Sequence, residues 1–205
     1  MAILSAILFI MGFTPLGTLG PMAITIAQVP VVIGACTLGK KEGAILGGVF
    51  GFVSFLYWIT LGQALPAVAW AFNPFESFSS ADSIPIGILF AVTSIIVCFV
   101  PRILIGFVSG FVFEKLENKN EPLAYILSGI LGALTNTVLV LGITAAVFIP
   151  LSGHMTGLKP GVAVAFVVGS LTINAVFEVI ITPILSYAIA KPINYYVNKK
   201  RKHKV

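Results

Sequence analysis

Glu178 is the carboxylate that closes the segment NAVFE at 174–178, inside an otherwise apolar run, with Ser170 and Asn174 at intervals of four before it. On a helix that spacing stacks a hydroxyl, an amide and a carboxylate on one face. An ionised group at membrane depth costs roughly 2.5–3.5 kcal/mol even on the lenient insertion scale, so Glu178 requires a partner, a water-filled cavity or a ligand. Arg102, in PRILIGFVSG at 101–110, is the candidate partner and is expected to open a helix on its outer side. Its planar guanidinium can also take a substrate carboxylate through two parallel bonds. The alternative is an arginine snorkelling to headgroups.

A second polar site interrupts LGALTNTVLVLG at 131–142. Gly129, Gly132, Ala133 and Asn136 share one helical face, which points the Asn136 amide inward beside a region cleared of bulky side chains. Thr135 and Thr137 are offset by about 100° on either side and are expected to bond their own helix backbone. Gln28 precedes Val29-Pro30, where proline frees a backbone carbonyl, and it forms either a polar corner of a pocket or a local patch for the broken backbone. Trp70 and Asn73 belong to AVAWAFNPFESFSSADSIP, where aromatic and polar residues mix as in a lid over a small molecule. An interfacial aromatic belt explains the same composition, and Tyr57 and Trp58 fit the belt better than a site. His154 in LSGHMTG reads as a solvated loop histidine, with no second histidine or cysteine at metal-ligand spacing.

These residues must be held by membrane elements. The chain of 205 residues is 58% hydrophobic and only 9% charged, where soluble domains average about 25% charged. The expected architecture is an all-α integral membrane bundle of six transmembrane helices, forming a single domain over 1–205. Helices are expected near 2–13, 22–38, 43–62, 98–116, 122–148 and from 161 past 190, with 84–97 either re-entrant or an outer extension of the fourth. The residues after Met1 carry no basic leader or cleavage site and read as a retained first helix. Lys40, Lys41, Lys115 and Lys119 fall on the side of the basic tail, 197–205, so both termini are expected to be cytoplasmic and the longer connections outward. The net charge of +5 therefore marks topology, not nucleic-acid binding. Cys36 and Cys98 lie in apolar runs and suggest burial. Gly43, Gly47 and Gly51 in one helix, Gly106 and Gly110 in another, and Ala2 and Ala6 in the first are spaced for close helix approach. No GxSxG, HExxH or P-loop pattern is present, so a membrane-embedded enzyme using Glu178 as acid or base is the weaker alternative.

Taken together, FTPLG at 13–17, QVPVVIGACTLGKKEGAILGGVFG at 28–51, PRILIGFVSG, GALTNTVLVLG and NAVFE resemble the substrate-binding S subunits of bacterial energy-coupling factor (ECF) transporters. The resemblance spans almost the whole chain in segment order. It implies a vitamin-binding subunit of the bacterial cell membrane, without cofactor, with its pocket near the outer face. Such a subunit docks on a transmembrane coupling subunit carried by two ATPases. Ala2 and Ala6 match the small-residue docking motif that this family often carries on its first helix. Arg102, Asn136, Asn174 and Glu178 fall where related subunits keep polar pocket residues, and Gln28 stands where relatives often have histidine. The TNTVLVLG segment is most similar to pantothenate-type subunits, then to hydroxymethylpyrimidine-type ones, with folate and riboflavin as further alternatives. An arginine available to a carboxylate favours pantothenate.

Overall fold

The computed structural model describes residues 1–14, 18–19, 24–61, 70–155 and 160–202, with the backbone alone for 18–19, 24–25, 160, 162–164, 166–168, 170–174 and 197–202. Its helices are α1 (Ala2–Gly12), α2 (Val29–Leu38), α3 (Lys40–Thr60), the short α4 (Pro74–Ser79), α5 (Ile84–Leu116), α6 (Glu121–Phe148) and α7 (Pro160–Lys202). Helices are what an apolar chain must form in lipid, because each backbone N–H and C=O then finds its partner inside the segment. Helices α3, α5, α6 and the 175–196 part of α7 are long and apolar enough to cross a bilayer, and α1 and the stretch 26–38 are shorter apolar helices.

One boundary differs from the sequence expectation, and one open alternative is decided. The second helix begins at Val29, not near 22, and is preceded by a 3-10 turn over 26–28 and a small antiparallel pair, β1 (Thr18–Leu19) with β2 (Ile24–Thr25). Pro30 explains the late start: proline lacks an N–H and fits the first turn, where that donor has no intrahelical acceptor. Residues 84–97 are continuous with 98–116 in one helix of 33 residues, about 50 Å long and well beyond a ~30 Å hydrocarbon core. The segment is thus an extension of the next helix. Arg102 consequently sits in the interior of α5 instead of opening it.

Small residues let the helices close on one another. A Cβ on Gly43 of α3 would lie 2.7 Å from the Gly106 carbonyl oxygen of α5, and one on Gly51 would lie 3.0 Å from the Cys98 carbonyl oxygen. The glycine face of α6 is filled in the same way, since a Cβ on Gly129 would come within 2.5 Å of Pro183 Cα in α7. That face is covered by a neighbouring helix, not cleared. Helix α2 is buried along most of its length and packs against α3, α5 and α7. One apolar cluster gathers around it, with Val31, Val32, Leu46, Phe50, Ile105 and Tyr125. A second, aromatic cluster joins Trp58, Trp70, Phe72, Phe90 and Phe148. Trp58 is buried and stacks on Phe72 with ring centroids 4.8 Å apart, so it belongs to the core and not to an interfacial belt.

Candidate substrate-binding site

Arg102 lies where the two clusters meet. Its guanidinium carbon is 5.8 Å from the ring centroid of Phe50, in the cluster around α2, and 5.8 Å from that of Phe72, in the aromatic cluster. A cation flanked by two aromatic faces is partly compensated for its lost hydration. Nη1 donates to the Val97 carbonyl oxygen at 2.7 Å, one turn back along α5. Nε is buried and has no hydrogen-bond partner among the described residues. The side chain is almost wholly enclosed, which excludes the snorkelling alternative.

The Glu178 carboxylate of α7 is also buried. Two donors from α6 converge on Glu178 Oε2: Asn136 Nδ2 at 3.4 Å and Thr137 Oγ1 at 3.5 Å. Both bonds are long by ordinary criteria, so they orient the carboxylate without clamping it. The Asn136 carbonyl oxygen Oδ1 is buried without a hydrogen-bond partner among the described residues. Thr135, by contrast, returns its hydroxyl to the Leu131 carbonyl at 2.7 Å, as its position suggests. The expectation that Thr137 would do likewise is corrected by the structure, because α7 lies against that part of α6 and supplies a better acceptor.

One turn further along α7, buried Thr182 accepts a hydrogen bond from Gln28 Nε2 at 2.7 Å. Gln28 is fully enclosed at the start of α2 and its Oε1 has no hydrogen-bond partner among the described residues. Sequence reasoning missed Thr182, although the four-residue period through Ser170, Asn174 and Glu178 continues to it and to buried Ser186. The side chains of Ser170 and Asn174 lie outside the described residues. The structure therefore brings Arg102, Asn136, Glu178 and Gln28 into the interior shared by α2, α5, α6 and α7, with Thr137 and Thr182 as additions.

Trp70 and Asn73 have structural tasks of their own in the connection between α3 and α4. Asn73 caps α4, its Oδ1 accepting from Phe75 N at 3.0 Å and Glu76 N at 3.4 Å, while Nδ2 donates to the Trp58 carbonyl at 3.1 Å. These bonds occupy the amide in holding the connection onto α3. Trp70 meets Phe148 edge-on at 5.1 Å and is buried in the aromatic cluster. Buried Ser77 bridges that cluster to α5 through Ser94, 2.5 Å away, and also donates to the Trp70 carbonyl. The connection from Trp70 to Ser83 is thus a packed cap. His154 is not solitary: its Nδ1 stands 2.8 Å from Asp82 Oδ2. Ala2 and Ala6 lie far from these groups in sequence and are exposed on α1.

The arrangement combines a fixed cation, an anion, an amide oxygen and hydroxyls in an apolar shell. Such a shell excludes water and recognises a small polar molecule through a few directed bonds. Buried polar atoms normally have partners, so Arg102 Nε, Asn136 Oδ1 and Gln28 Oε1 point to a ligand that supplies an acceptor for the first and donors for the others.

The chain is 32% identical over 186 residues to the pantothenate transporter PanT of Leuconostoc mesenteroides, covering 87% of this chain and 79% of that protein. It is 31% identical over 171 residues to the pantothenic acid transporter PanT of Lactococcus lactis subsp. cremoris, covering 82% of this chain and 76% of the relative. Residues 1–190 match the family model of the ECF transporter substrate-specific component, and the chain belongs to that family of multi-pass membrane transport proteins.

Proposed function

We propose that this protein is the S subunit that captures pantothenate at the outer face of the bacterial plasma membrane for ATP-driven import. The observation that carries the substrate is the buried Arg102, whose Nε lacks a partner among the described residues, while Glu178, Asn136 and Gln28 are likewise buried polar groups. Pantothenate has a carboxylate for the guanidinium, and hydroxyl and amide groups that donate to the amide oxygens of Asn136 and Gln28. Asn174, on the same helix as Glu178, is assigned to the same pocket. The two PanT relatives favour this vitamin over hydroxymethylpyrimidine, folate or riboflavin. Trp70 and Asn73 shape the cap over the pocket.

We further propose six spans, α1, α2, α3, α5, α6 and α7, with both termini cytoplasmic beside Lys40, Lys41, Lys115 and Lys119, in keeping with the positive-inside rule. The partner is a transmembrane coupling subunit with two ATPases, met through α1, where Ala2 and Ala6 offer an exposed small-residue stripe. Import energy comes from that module, and the chain itself acts by binding, not by catalysis.

The test is a titration of the purified subunit with pantothenate, hydroxymethylpyrimidine, folate and riboflavin. Pantothenate is expected to bind most tightly and to be recovered unaltered. Arg102→Ala is expected to weaken pantothenate by roughly tenfold to a hundredfold, as for loss of a hydrogen bond to a charged group. It should weaken much less the neutral analogue in which a hydroxymethyl group replaces the carboxylate. Equal losses for the two ligands would remove Arg102 from the carboxylate site.

A further inference from the structure

The residue before Arg102 bears on how its guanidinium is aimed. In an uninterrupted helix the N–H of residue 101 would donate to the carbonyl of residue 97, four positions earlier. Position 101 is proline, inside α5, so that donor does not exist. The Val97 carbonyl is not orphaned, because Arg102 Nη1 donates to it at 2.7 Å. Helical side chains lean toward the N-terminus, so a long side chain at 102 naturally passes over the turn that contains residue 97. The proline and the arginine therefore form a single device: one residue exposes an acceptor and the next consumes it.

We propose that Pro101 is a positioning residue for substrate recognition, fixing Arg102 through the Val97 carbonyl. This rests on the reading of Arg102 as the carboxylate anchor. With Nη1 held at one end and the Phe50 and Phe72 rings flanking the guanidinium, the remaining Nε/Nη2 edge is held in one orientation. Nε on that edge is a buried donor without a hydrogen-bond partner among the described residues. A carboxylate meeting the edge receives two parallel bonds from a group whose rotamer entropy is already lost, the condition under which an ordered donor contributes most. Replacement of Pro101 by alanine restores the backbone donor to Val97, which then competes with Nη1 and lets the guanidinium rotate.

The experiment uses the full-length subunit and four proteins: wild type, Pro101→Ala, Arg102→Ala and the double variant. Each is titrated with pantothenate and with its neutral hydroxymethyl analogue. Pro101→Ala is expected to lower pantothenate affinity by roughly tenfold, the scale of a charged hydrogen bond set free to wander, while the analogue shifts by less than about threefold. In the Arg102→Ala background, Pro101→Ala should add nothing, since its effect passes through the guanidinium. Unchanged pantothenate affinity in Pro101→Ala, or equal loss of both ligands, including loss through misfolding, overturns the proposal. Failure of the parent reading looks different. If Arg102→Ala itself weakens acid and analogue alike, the carboxylate assignment falls; if it is selective while Pro101→Ala is not, only the positioning role falls.

Discussion

Neighbouring residues of α6 illustrate how finely the interior divides labour. Asn136 and Thr137 are adjacent, yet both donate to Glu178, whereas Thr135 on the other side of Asn136 bonds its own backbone. The difference lies in which helix stands opposite, not in residue type. It leads to a contrast between two substitutions. Thr137→Val keeps the shape and removes one long bond, so it should cost less than ~1 kcal/mol of stability and leave vitamin affinity nearly unchanged, the bond being beyond ordinary length. Asn136→Leu removes both the donor to Glu178 and the buried Oδ1 assigned to the ligand, and should weaken pantothenate roughly tenfold or more. Thermal melting of the purified subunit checks the first and titration calorimetry the second. Matching affinity losses for the two variants would place Thr137 in direct contact with substrate.

At the scale of elements, two of the connections between helices are tied to each other and not only to the bundle. Ala81 and Met155 form an antiparallel bridge, Asp82 N donates to the His154 carbonyl at 2.9 Å, and the His154 imidazole meets the Asp82 carboxylate at 2.8 Å. The link joins the α4–α5 turn to the segment that follows α6. The hydrogen bond from His154 holds the Asp82 carboxyl below the usual carboxylate range. A carboxyl whose folded value is depressed contributes stability that is present above its ordinary pKa of about 3.9 and is lost as pH falls through the lowered value. Acid-side loss of melting temperature should therefore be shallower in Asp82→Asn than in wild type below about pH 4. Identical acid limbs would show that the pair does not tie the two connections. Sequence patterning did not reveal this link, because its partners are 72 positions apart and neither carries a local signal. The 33-residue α5 was one of two readings of 84–97 left open by the sequence, and the Val97–Arg102 bond shows how the helix passes through Pro101.

For the whole molecule, the proposed function separates two surfaces, one assigned to vitamin in the interior and one assigned to the coupling subunit along α1. Ile3 and Ile10 are exposed on α1 together with Ala2 and Ala6, so the stripe is open to a partner helix. Bulky replacements, Ala2→Trp and Ala6→Trp, should abolish vitamin uptake by cells that contain the complete transporter and leave binding to the isolated subunit intact. Loss of binding as well would make both alanines part of the fold and not of the docking surface. The sequence by itself determined the membrane class, because 58% hydrophobic and 9% charged residues cannot form a surface for water. It also identified the intramembrane polar residues Arg102, Asn136 and Glu178, since helical periodicity and the cost of burying charge act within one segment. Only the tertiary structure decided which of those groups meet. Hydrogen bonds from Gln28 to Thr182 and from Thr137 to Glu178 span 154 and 41 positions, and such pairings depend on how glycine-lined helices close together. That closure is a property of facing surfaces and is not written in any single segment.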